Sequence, residues 1–198
     1  MRLTQREFWL WAFNMVKFSA ELLGTTLIVW DPEEGSKLYS NGFYGKPVGI
    51  TKPKSTEFEV PLILDLIEGL YLLEKGLIQI YQGVPRTKVS IKKLRDYSEA
   101  IYKDFNLNYL VYKDLRQSDY IVLPGIKFGC TYAVYERGPG LDHAPYLVSV
   151  KSSGEDITST DIVRAGRLAT TVRKRFIIAV PNPSMRGVRY LVFDWFKA

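Results

Sequence analysis

Five short apolar runs with the character of β-strands follow one another in the second half of the chain. They cover Tyr120–Leu123, Phe128–Tyr135, Tyr146–Lys151, Arg175–Val180 and Arg189–Trp195. One amphipathic segment, Asp161–Arg173, separates the last two runs from the others and has the spacing of a helix. Ser159 or Thr160 can cap this helix, and Asp161 suits the positive end of its dipole. The pattern predicts a mixed sheet with packed helices.

The first half of the chain alternates strands and helices. Strands are predicted at Thr25–Asp31 and Leu77–Tyr81, and a short helix at Ser36–Gly42. Pro61–Lys75 is predicted to be a helix because its leucines and isoleucines recur at helical spacing and Pro61 suits a first turn. This half is therefore predicted to form a compact α/β unit.

Two more helices are predicted where the halves meet. Ser90–Phe105 is charged and amphipathic, Asn106–Asn108 is expected to break it, and Tyr109–Gln117 is expected to form the next helix. We place the domain boundary near Tyr102. The predicted fold class is α/β (α+β), with a small N-terminal α/β domain over residues 1–102 and a C-terminal mixed-sheet domain with packed helices over residues 103–198.

Composition narrows the classes of protein. The chain has 198 residues, 46% of them hydrophobic, and a formal net charge of +6. A basic excess suits a polyanionic partner, although solubility alone explains it equally well. The single cysteine, Cys130, excludes an intramolecular disulfide, is expected to be a buried small hydrophobe, and fits a reducing cytoplasm. With one histidine in the chain, a histidine-rich metal site is excluded, and we expect no metal or other cofactor.

The N-terminus has some features of a signal peptide, because Arg2 and Arg6 precede the apolar run Phe8–Val16. However, Glu7 and Lys17 bracket the run, which is too short to span a bilayer and is followed by no small-residue cleavage site. We therefore expect this segment to be part of the folded protein.

Tyr135 ends a predicted strand whose two faces differ. Alternation places Gly129, Thr131 and Ala133 on the same face as Tyr135. Three small residues followed by a tyrosine predict an open shelf with one hydroxyl group at its end. A lone tyrosine at a sheet edge is, however, more often structural than functional.

His143 follows a loop that contains Gly138-Pro139-Gly140 and precedes the strand that starts near Tyr146. A hairpin-like return of the chain would bring His143 close to Tyr135. A lone histidine is more often a structural or surface residue than a catalyst. Its place on a glycine-bearing loop beside the predicted shelf favours a functional role.

The helix of the second half has one face that is predicted to pack and one that is basic. The packing face comprises Ile162, Ala165, Leu168, Ala169 and Val172. The opposite face comprises Arg164, Arg167, Thr171 and Lys174. On periodicity alone, a solvated polar stripe is the preferred interpretation of the basic face.

Together, Tyr135, His143 and Lys174 offer two proton-transfer groups and a fixed cation. RNA is a suitable substrate because its own 2′-hydroxyl can attack the adjacent phosphate. The enzyme must remove the proton of that hydroxyl, protonate the departing 5′-oxygen and neutralise the phosphorane. The reference pKa of histidine, near 6.5, suits the acid, whereas tyrosine needs a nearby cation to lower its pKa from about 10.

Long ordered motifs in the chain resemble the archaeal-type tRNA-intron (tRNA-splicing) endonucleases. The resemblance rests on the runs YLVYKDLRQSDYIVLPGIKFG, FGCTYAVYERGPGLDHAPYLVSV, DIVRAGRLATTVRKRFIIAV and, upstream, IEGLYLLEKGLI. It implies an N-terminal assembly domain, a C-terminal nuclease domain, and cleavage of precursor tRNA at bulge–helix–bulge sites, without metal, leaving 2′,3′-cyclic phosphate and 5′-hydroxyl ends. Tyr135 matches the general base, His143 the general acid, and Lys174 the lysine that stabilises the transition state.

The resemblance also implies an arginine clamp on a flipped bulge base. Arg167 matches the first clamp arginine and Arg189 is a candidate for the second, while Arg164 on the same helical face as Arg167 is a further candidate RNA-binding residue. Stacking of guanidinium groups on a base is physically reasonable.

A departure from the family pattern concerns assembly. Homo-oligomeric members carry an acidic loop between the last two strands that docks on another subunit, whereas Pro181–Gly187 here contains no acid and one arginine. We expect a heterotetramer of two catalytic chains and two chains of a paralogous structural subunit.

Two other function classes are open. A non-catalytic RNA-binding or structural subunit of such a complex would be expected to lack part of the triad, and this chain keeps all three residue types. A metal-dependent nuclease of the restriction-enzyme type places an acid two residues before a strand-end lysine, and here Ser149 precedes Lys151.

Overall fold

The structure is a computed structural model that describes residues 18–141, 143–171, 174–182 and 187–193. The apolar run Phe8–Val16 and the predicted end of the last strand at Trp195 lie outside these residues. The chain divides into two compact units, one up to Phe105 and one from Asn106 onward. Each unit has its own mixed sheet, which confirms the predicted fold class. No helix among the described residues combines the length and the apolar character that crossing a membrane requires.

The described part of the first unit forms a six-stranded sheet flanked by helices. Its strands are β1 Phe18–Leu23, β2 Thr26–Val29, β3 Lys46–Pro47, β4 Leu62–Leu64, β5 Ile78–Gln82 and β6 Thr87–Lys88, in the order β3-β4-β2-β1-β5-β6. Its helices are α1 Pro32–Gly42, α2 Leu66–Glu74 and α3 Ile91–Ile101. Strands β1 and β5 are parallel, and the other neighbours are antiparallel.

The predicted helix Pro61–Lys75 is wrong in its first turn. Leu62–Leu64 is a strand, and helix α2 begins only after Asp65. The Asp65 carboxylate accepts a hydrogen bond from the Glu68 amide at 2.7 Å, and the Glu68 carboxylate accepts one from the Asp65 amide at 3.1 Å. This reciprocal capping box sets the start of the helix. The two carboxylates accept hydrogen bonds from backbone amides that have no carbonyl partner at the beginning of the helix.

The helix break predicted at Asn106–Asn108 is also misplaced. Helix α3 ends at Ile101, and Asp104 takes a φ of +59°, a left-handed conformation that no helix continues through. The asparagines lie inside the next helix, α4 Phe105–Gln117.

The second unit is built on a five-stranded sheet, as far as the described residues show. Its strands are β7 Ile121–Pro124, β8 Tyr132–Tyr135, β9 Tyr146–Val150, β10 Arg175–Asn182 and β11 Gly187–Phe193, in the order β11-β10-β9-β8-β7. Strands β9 and β10 are parallel, and the other neighbours are antiparallel. A 3₁₀ turn at Ile126–Phe128 precedes β8, which is therefore shorter than the predicted strand Phe128–Tyr135.

Both faces of this sheet are covered. Helix α5, Ser159–Thr171, connects the parallel strands β9 and β10, and its Ala165 joins a core cluster with Ala133, Leu147 and Phe176. On the opposite face, the Tyr132 hydroxyl donates to the Asn108 carbonyl of α4 at 3.0 Å. The predicted open shelf is therefore wrong, because Ala133 is buried within this core cluster at only 2% exposure.

The predicted packing face of α5 is only partly correct. Ala165 is buried at 2% exposure, whereas Ile162 is 55% exposed and does not join the core cluster. The side chains of Leu168, Ala169 and Val172 lie outside the described residues. Helical periodicity identified the apolar side chains of the helix but not which of them are buried.

Gly125, which precedes the 3₁₀ turn, leaves no room for a side chain. A Cβ atom there would lie 2.7 Å from the Tyr132 carbonyl carbon and 2.8 Å from the Tyr132 nitrogen. We expect Gly125→Ala to lower the free energy of unfolding by about 2 kcal/mol or more, because the start of β8 must move. Urea unfolding measures this. Gly166→Ala is the matched control, since a Cβ there meets nothing within 4 Å, and unchanged stability in Gly125→Ala would contradict the expectation.

Candidate active site

One edge of the second sheet brings three chain segments together. Strand β8 is antiparallel to β9 with Val134 opposite Tyr146, so the end of β8 lies beside the start of β9. Strand β10 is parallel to β9 with Arg175 opposite Tyr146, so it starts at the same edge. We call this edge, where β8 ends and β9 and β10 begin, the site edge. The antiparallel pairing confirms the hairpin-like return predicted between Tyr135 and Tyr146.

Tyr135, His143 and Lys174 all lie at the site edge. Tyr135 is the last residue of β8, His143 lies three residues before β9, and Lys174 directly precedes β10. Because adjacent strands are roughly 4.8 Å apart, the backbone positions from β8 to β10 span about 10 Å. The side chains of Tyr135, at one end of this span, and Lys174, at the other end, are long enough to approach each other. His143 lies on the segment between them.

Lys174 is bonded directly to the segment that carries His143. Its Nζ donates a short hydrogen bond to the carbonyl of Ala144, the residue after His143. The backbone adds a second link, because the Arg175 amide donates to the Pro145 carbonyl at 2.9 Å. The His143 side chain itself is exposed, and Lys174 is half-buried. A cation and an exposed imidazole are thus held on neighbouring backbone segments.

Phe128 contacts Lys174 and packs against the same core cluster as Tyr135. The Lys174 Nζ lies 5.4 Å from the centroid of the Phe128 ring. Phe128 and Tyr135 are both half-buried and pack against the core cluster under α5. The tyrosine and the lysine ammonium therefore lie on the same face of the sheet. Sequence reasoning missed Phe128, because it assigned this residue to a regular strand.

The three predicted RNA-binding arginines occupy different places. The Arg164 Nη1 donates to the Gly129 carbonyl at 3.0 Å, so this guanidinium anchors the turn before β8. Arg167 is exposed and lies nearly one helical turn closer to the site edge, because α5 runs toward the start of β10. Arg189 is exposed on β11 opposite Val180, five residues along β10 from Arg175. At roughly 3.3 Å per residue, Arg189 is about 17 Å from the site edge of its own chain.

A group of charged side chains lies where β9 ends, away from the site edge. The Lys151 Nζ lies 2.9 Å from Glu155 Oε1 and 3.1 Å from Asp161 Oδ2. Lys151, the lysine that the metal-nuclease interpretation concerns, is thus paired with two carboxylates. Among the described residues, no group of three or more histidine, cysteine, aspartate or glutamate side chains is placed to hold a metal ion.

Thr158 caps α5, not Ser159 or Thr160, which lie inside the helix. The Asp161 carboxylate accepts from the Thr158 amide at 2.9 Å and hydroxyl at 2.8 Å, and the Asp161 amide donates to the Thr158 hydroxyl at 3.2 Å. A threonine followed three residues later by an acid is a capping-box signal that sequence analysis could have used.

Protonation of the Asp161 carboxylate at low pH should weaken this cap and lower the stability of the fold. The hydrogen bonds from Thr158, with a further contribution from Lys151, lower the pKa of Asp161 from 3.8 to about 2. A lowered pKa in the folded state stabilises the fold above the ordinary pKa, and this stabilisation is lost as the pH falls from about 4 to about 2. We expect the urea unfolding midpoint of Asp161→Asn to change less steeply with pH between about 2 and about 4 than that of the parent. Asp156→Asn, in the same segment, is the control, and an unchanged slope in Asp161→Asn would contradict the assignment.

Cys130 is 8% exposed within the core cluster, as predicted for a buried hydrophobe. Burial raises the pKa of its thiol to about 11. The thiol therefore stays protonated near neutral pH, which excludes it as an activated nucleophile.

Two protein-family models match this chain. Residues 105–190 match the family described as tRNA intron endonuclease, catalytic C-terminal domain, and residues 18–94 match the tRNA intron endonuclease, N-terminal domain. The chain is 47% identical to a tRNA-splicing endonuclease of Hyperthermus butylicus over 178 residues, which cover 90% of this chain and 98% of the relative. It is 43% identical to a tRNA-splicing endonuclease of Saccharolobus solfataricus over 184 residues, covering 92% and 100% of the two chains. The chain therefore belongs to the tRNA intron endonuclease family.

Proposed function

We propose that this chain is the catalytic subunit of an endonuclease that excises introns from precursor tRNA without a metal ion. The main support is the convergence of Tyr135, His143 and Lys174 on one sheet edge, with Lys174 bonded to the carbonyl beside His143. The close relatives, which are named tRNA-splicing endonucleases, support the same reaction. The single cysteine fits a cytoplasmic location.

In the proposed reaction, Tyr135 removes the proton of a 2′-hydroxyl at the splice site. The resulting oxygen forms a bond to the adjacent phosphorus, and the bond from phosphorus to the 5′-oxygen breaks. His143 protonates the departing 5′-oxygen, and Lys174 neutralises the charge that develops on the phosphorane. The products are a 2′,3′-cyclic phosphate and a 5′-hydroxyl. Tyr135 has gained one proton and His143 has lost one, so the proton count balances.

A phenol is a poor base unless a cation lowers its pKa. Lys174 is the candidate for that cation, because its ammonium group lies over Phe128, which packs against the same core cluster as Tyr135. The substrate is proposed to be a bulge–helix–bulge, since folded RNA is recognised mainly by shape and by unpaired bases.

The test is cleavage of a precursor tRNA carrying a bulge–helix–bulge intron, in excess EDTA, with analysis of the new ends. We expect undiminished cleavage with cyclic phosphate and 5′-hydroxyl termini. The same tRNA with its bulges paired is the control substrate. Cleavage that stops in EDTA, or ends that carry a 5′-phosphate, would contradict the proposal. RNA binding without cleavage, even with the native partner present, would favour the non-catalytic alternative.

We further propose an α2β2 heterotetramer with a paralogous structural subunit. Strands β10 and β11 pair from Phe176 opposite Phe193 to Asn182 opposite Gly187, and the connecting residues 183–186 lie outside the described part of the chain. The segment Pro181–Gly187 has no acidic residue to serve as the family's docking loop. Co-purification from the native source followed by mass measurement tests this. A fully active homotetramer of the purified chain would contradict it.

Arg167→Ala should weaken substrate binding more than it slows the chemical step. Loss of one stacked guanidinium corresponds to about tenfold in affinity. Binding to a bulge–helix–bulge RNA and single-turnover rates at saturating enzyme measure the two effects, and Lys52→Ala controls for the loss of one exposed positive charge. Arg189→Ala tests the second proposed clamp residue. If Arg167→Ala changes neither affinity nor rate, its clamp role is wrong.

A further inference from the structure

We propose that Phe128 is a positioning residue that holds the Lys174 ammonium group at the site edge through its aromatic face. This inference rests on the proposed function, because it concerns how the proposed transition-state lysine is oriented. Phe128 lies far from Lys174 in sequence, and no motif of the sequence analysis assigned it a role.

Two contacts from different segments meet at the Lys174 ammonium. The Ala144 carbonyl accepts a hydrogen bond from Nζ, and the Phe128 ring centroid lies 5.4 Å from the same atom. A lysine side chain is long and flexible, so each contact to its ammonium group narrows the orientations that it can adopt. An aromatic face attracts a cation from a second direction and does not use any of its N–H donors. The ammonium is thus held from two directions, by a carbonyl and by an aromatic face.

Phe128 is itself well fixed. The Phe128 amide donates to the Gly125 carbonyl at 2.8 Å, and the Gly129 amide donates to the Ile126 carbonyl at 2.9 Å. Arg164 bonds the Gly129 carbonyl from helix α5 at 3.0 Å. The Phe128 ring packs against the core cluster, as the Tyr135 ring does. Because its backbone is hydrogen-bonded and its ring packs on the core, Phe128 can hold the more flexible lysine in place.

This arrangement also connects the three proposed catalytic residues. Phe128 packs on the same cluster as Tyr135 and contacts Lys174, and Lys174 bonds the backbone beside His143. Loss of the aromatic face should therefore affect the rate of the chemical step and leave the affinity for RNA unchanged.

A double-mutant cycle between positions 128 and 174 tests the inference, using the assembled enzyme and a bulge–helix–bulge precursor tRNA. Phe128→Leu keeps an apolar side chain in the core and removes the aromatic face, and we expect kcat to fall about tenfold with KM unchanged. Phe128→Tyr should retain the parent rate. In a Lys174→Met background, Phe128→Leu should have no further effect. Phe193→Leu, the same change on the same cluster at a residue 6.0 Å from Phe176, is the matched control.

Replacement of Phe128 by phenylalanines with increasing fluorine content gives a second measurement that does not depend on the folding of the leucine variant. Fluorine weakens the negative potential of the ring face at nearly constant size, so kcat should fall with each fluorine added. A constant kcat across the series, or a Phe128→Leu effect that persists in Lys174→Met, would overturn the inference. If Lys174→Met itself cleaves at the parent rate, the proposed catalytic assignment fails instead.

Discussion

Replacing His143 by alanine should slow cleavage of precursor tRNA roughly 100-fold or more, the contribution expected from a general acid. The imidazole is exposed and belongs to no described core cluster, so its removal should leave the fold intact. Single-turnover rates at saturating enzyme measure the chemical step, and equilibrium binding measures affinity, which should not change. Leu141→Ala, at an exposed residue of the same loop, is the matched control.

A modified substrate makes this prediction specific for the acid role. A precursor whose 5′-oxygen at the scissile phosphate is replaced by sulfur has a leaving group that needs no protonation. His143→Ala should therefore cleave this substrate at nearly the parent rate. If the variant remains equally slow on the sulfur substrate, His143 acts in another way. If it cleaves the ordinary substrate at the parent rate, the assignment is wrong.

Replacing Lys174 by alanine should also reduce the rate roughly 100-fold or more, because it removes a preorganised charge from the developing phosphorane. The structure adds a second reason. Without Lys174, the Ala144 carbonyl loses its ammonium donor, and the segment carrying His143 loses a connection to the start of β10. Lys174→Arg should recover part of the rate, since it keeps the charge but not the geometry of a compact ammonium group.

Lys127→Ala is the control for Lys174→Ala, because Lys127 is an exposed lysine in the 3₁₀ turn of the same unit. Its rate should equal that of the parent. The two contributions of Lys174 can be separated by measuring His143→Ala and Lys174→Ala together. A combined effect smaller than the product of the single effects indicates that Lys174 acts partly through the His143 segment. If the combined effect equals the product of the single effects, Lys174 acts only on the charge of the phosphate.

Local signals were sufficient for much of the secondary structure. The strand at Thr26–Val29 and the helix at Ser159–Thr171 lie close to their predicted places, because alternation and helical spacing depend on nearby residues alone. Errors arose where a cap competed with a propensity. Asp65 and Thr158 cap their helices through side-chain hydrogen bonds, whereas Pro61 was predicted in the first turn and Ser159 or Thr160 as the cap.

Exposure was harder to predict than secondary structure. Ala133 was expected on an open shelf and is buried, and Ile162 was expected to pack and is exposed. Alternation and periodicity say which residues share a face. They do not say which distant elements cover that face, and the tertiary packing around the core cluster decided both cases.

By itself, the sequence determined the α/β character of both halves, most of their elements, and the side-chain types available for chemistry. Only the tertiary structure decided that the end of β8, at Tyr135, shares one sheet edge with the starts of β9 and β10, which follow His143 and Lys174. It also decided that Phe128 lies under the Lys174 ammonium group. It also placed Arg189 at the far end of the sheet from that edge. The physical reason is that these relations depend on the parallel register of β9 and β10, which is set by hydrogen bonds and packing between residues about thirty positions apart.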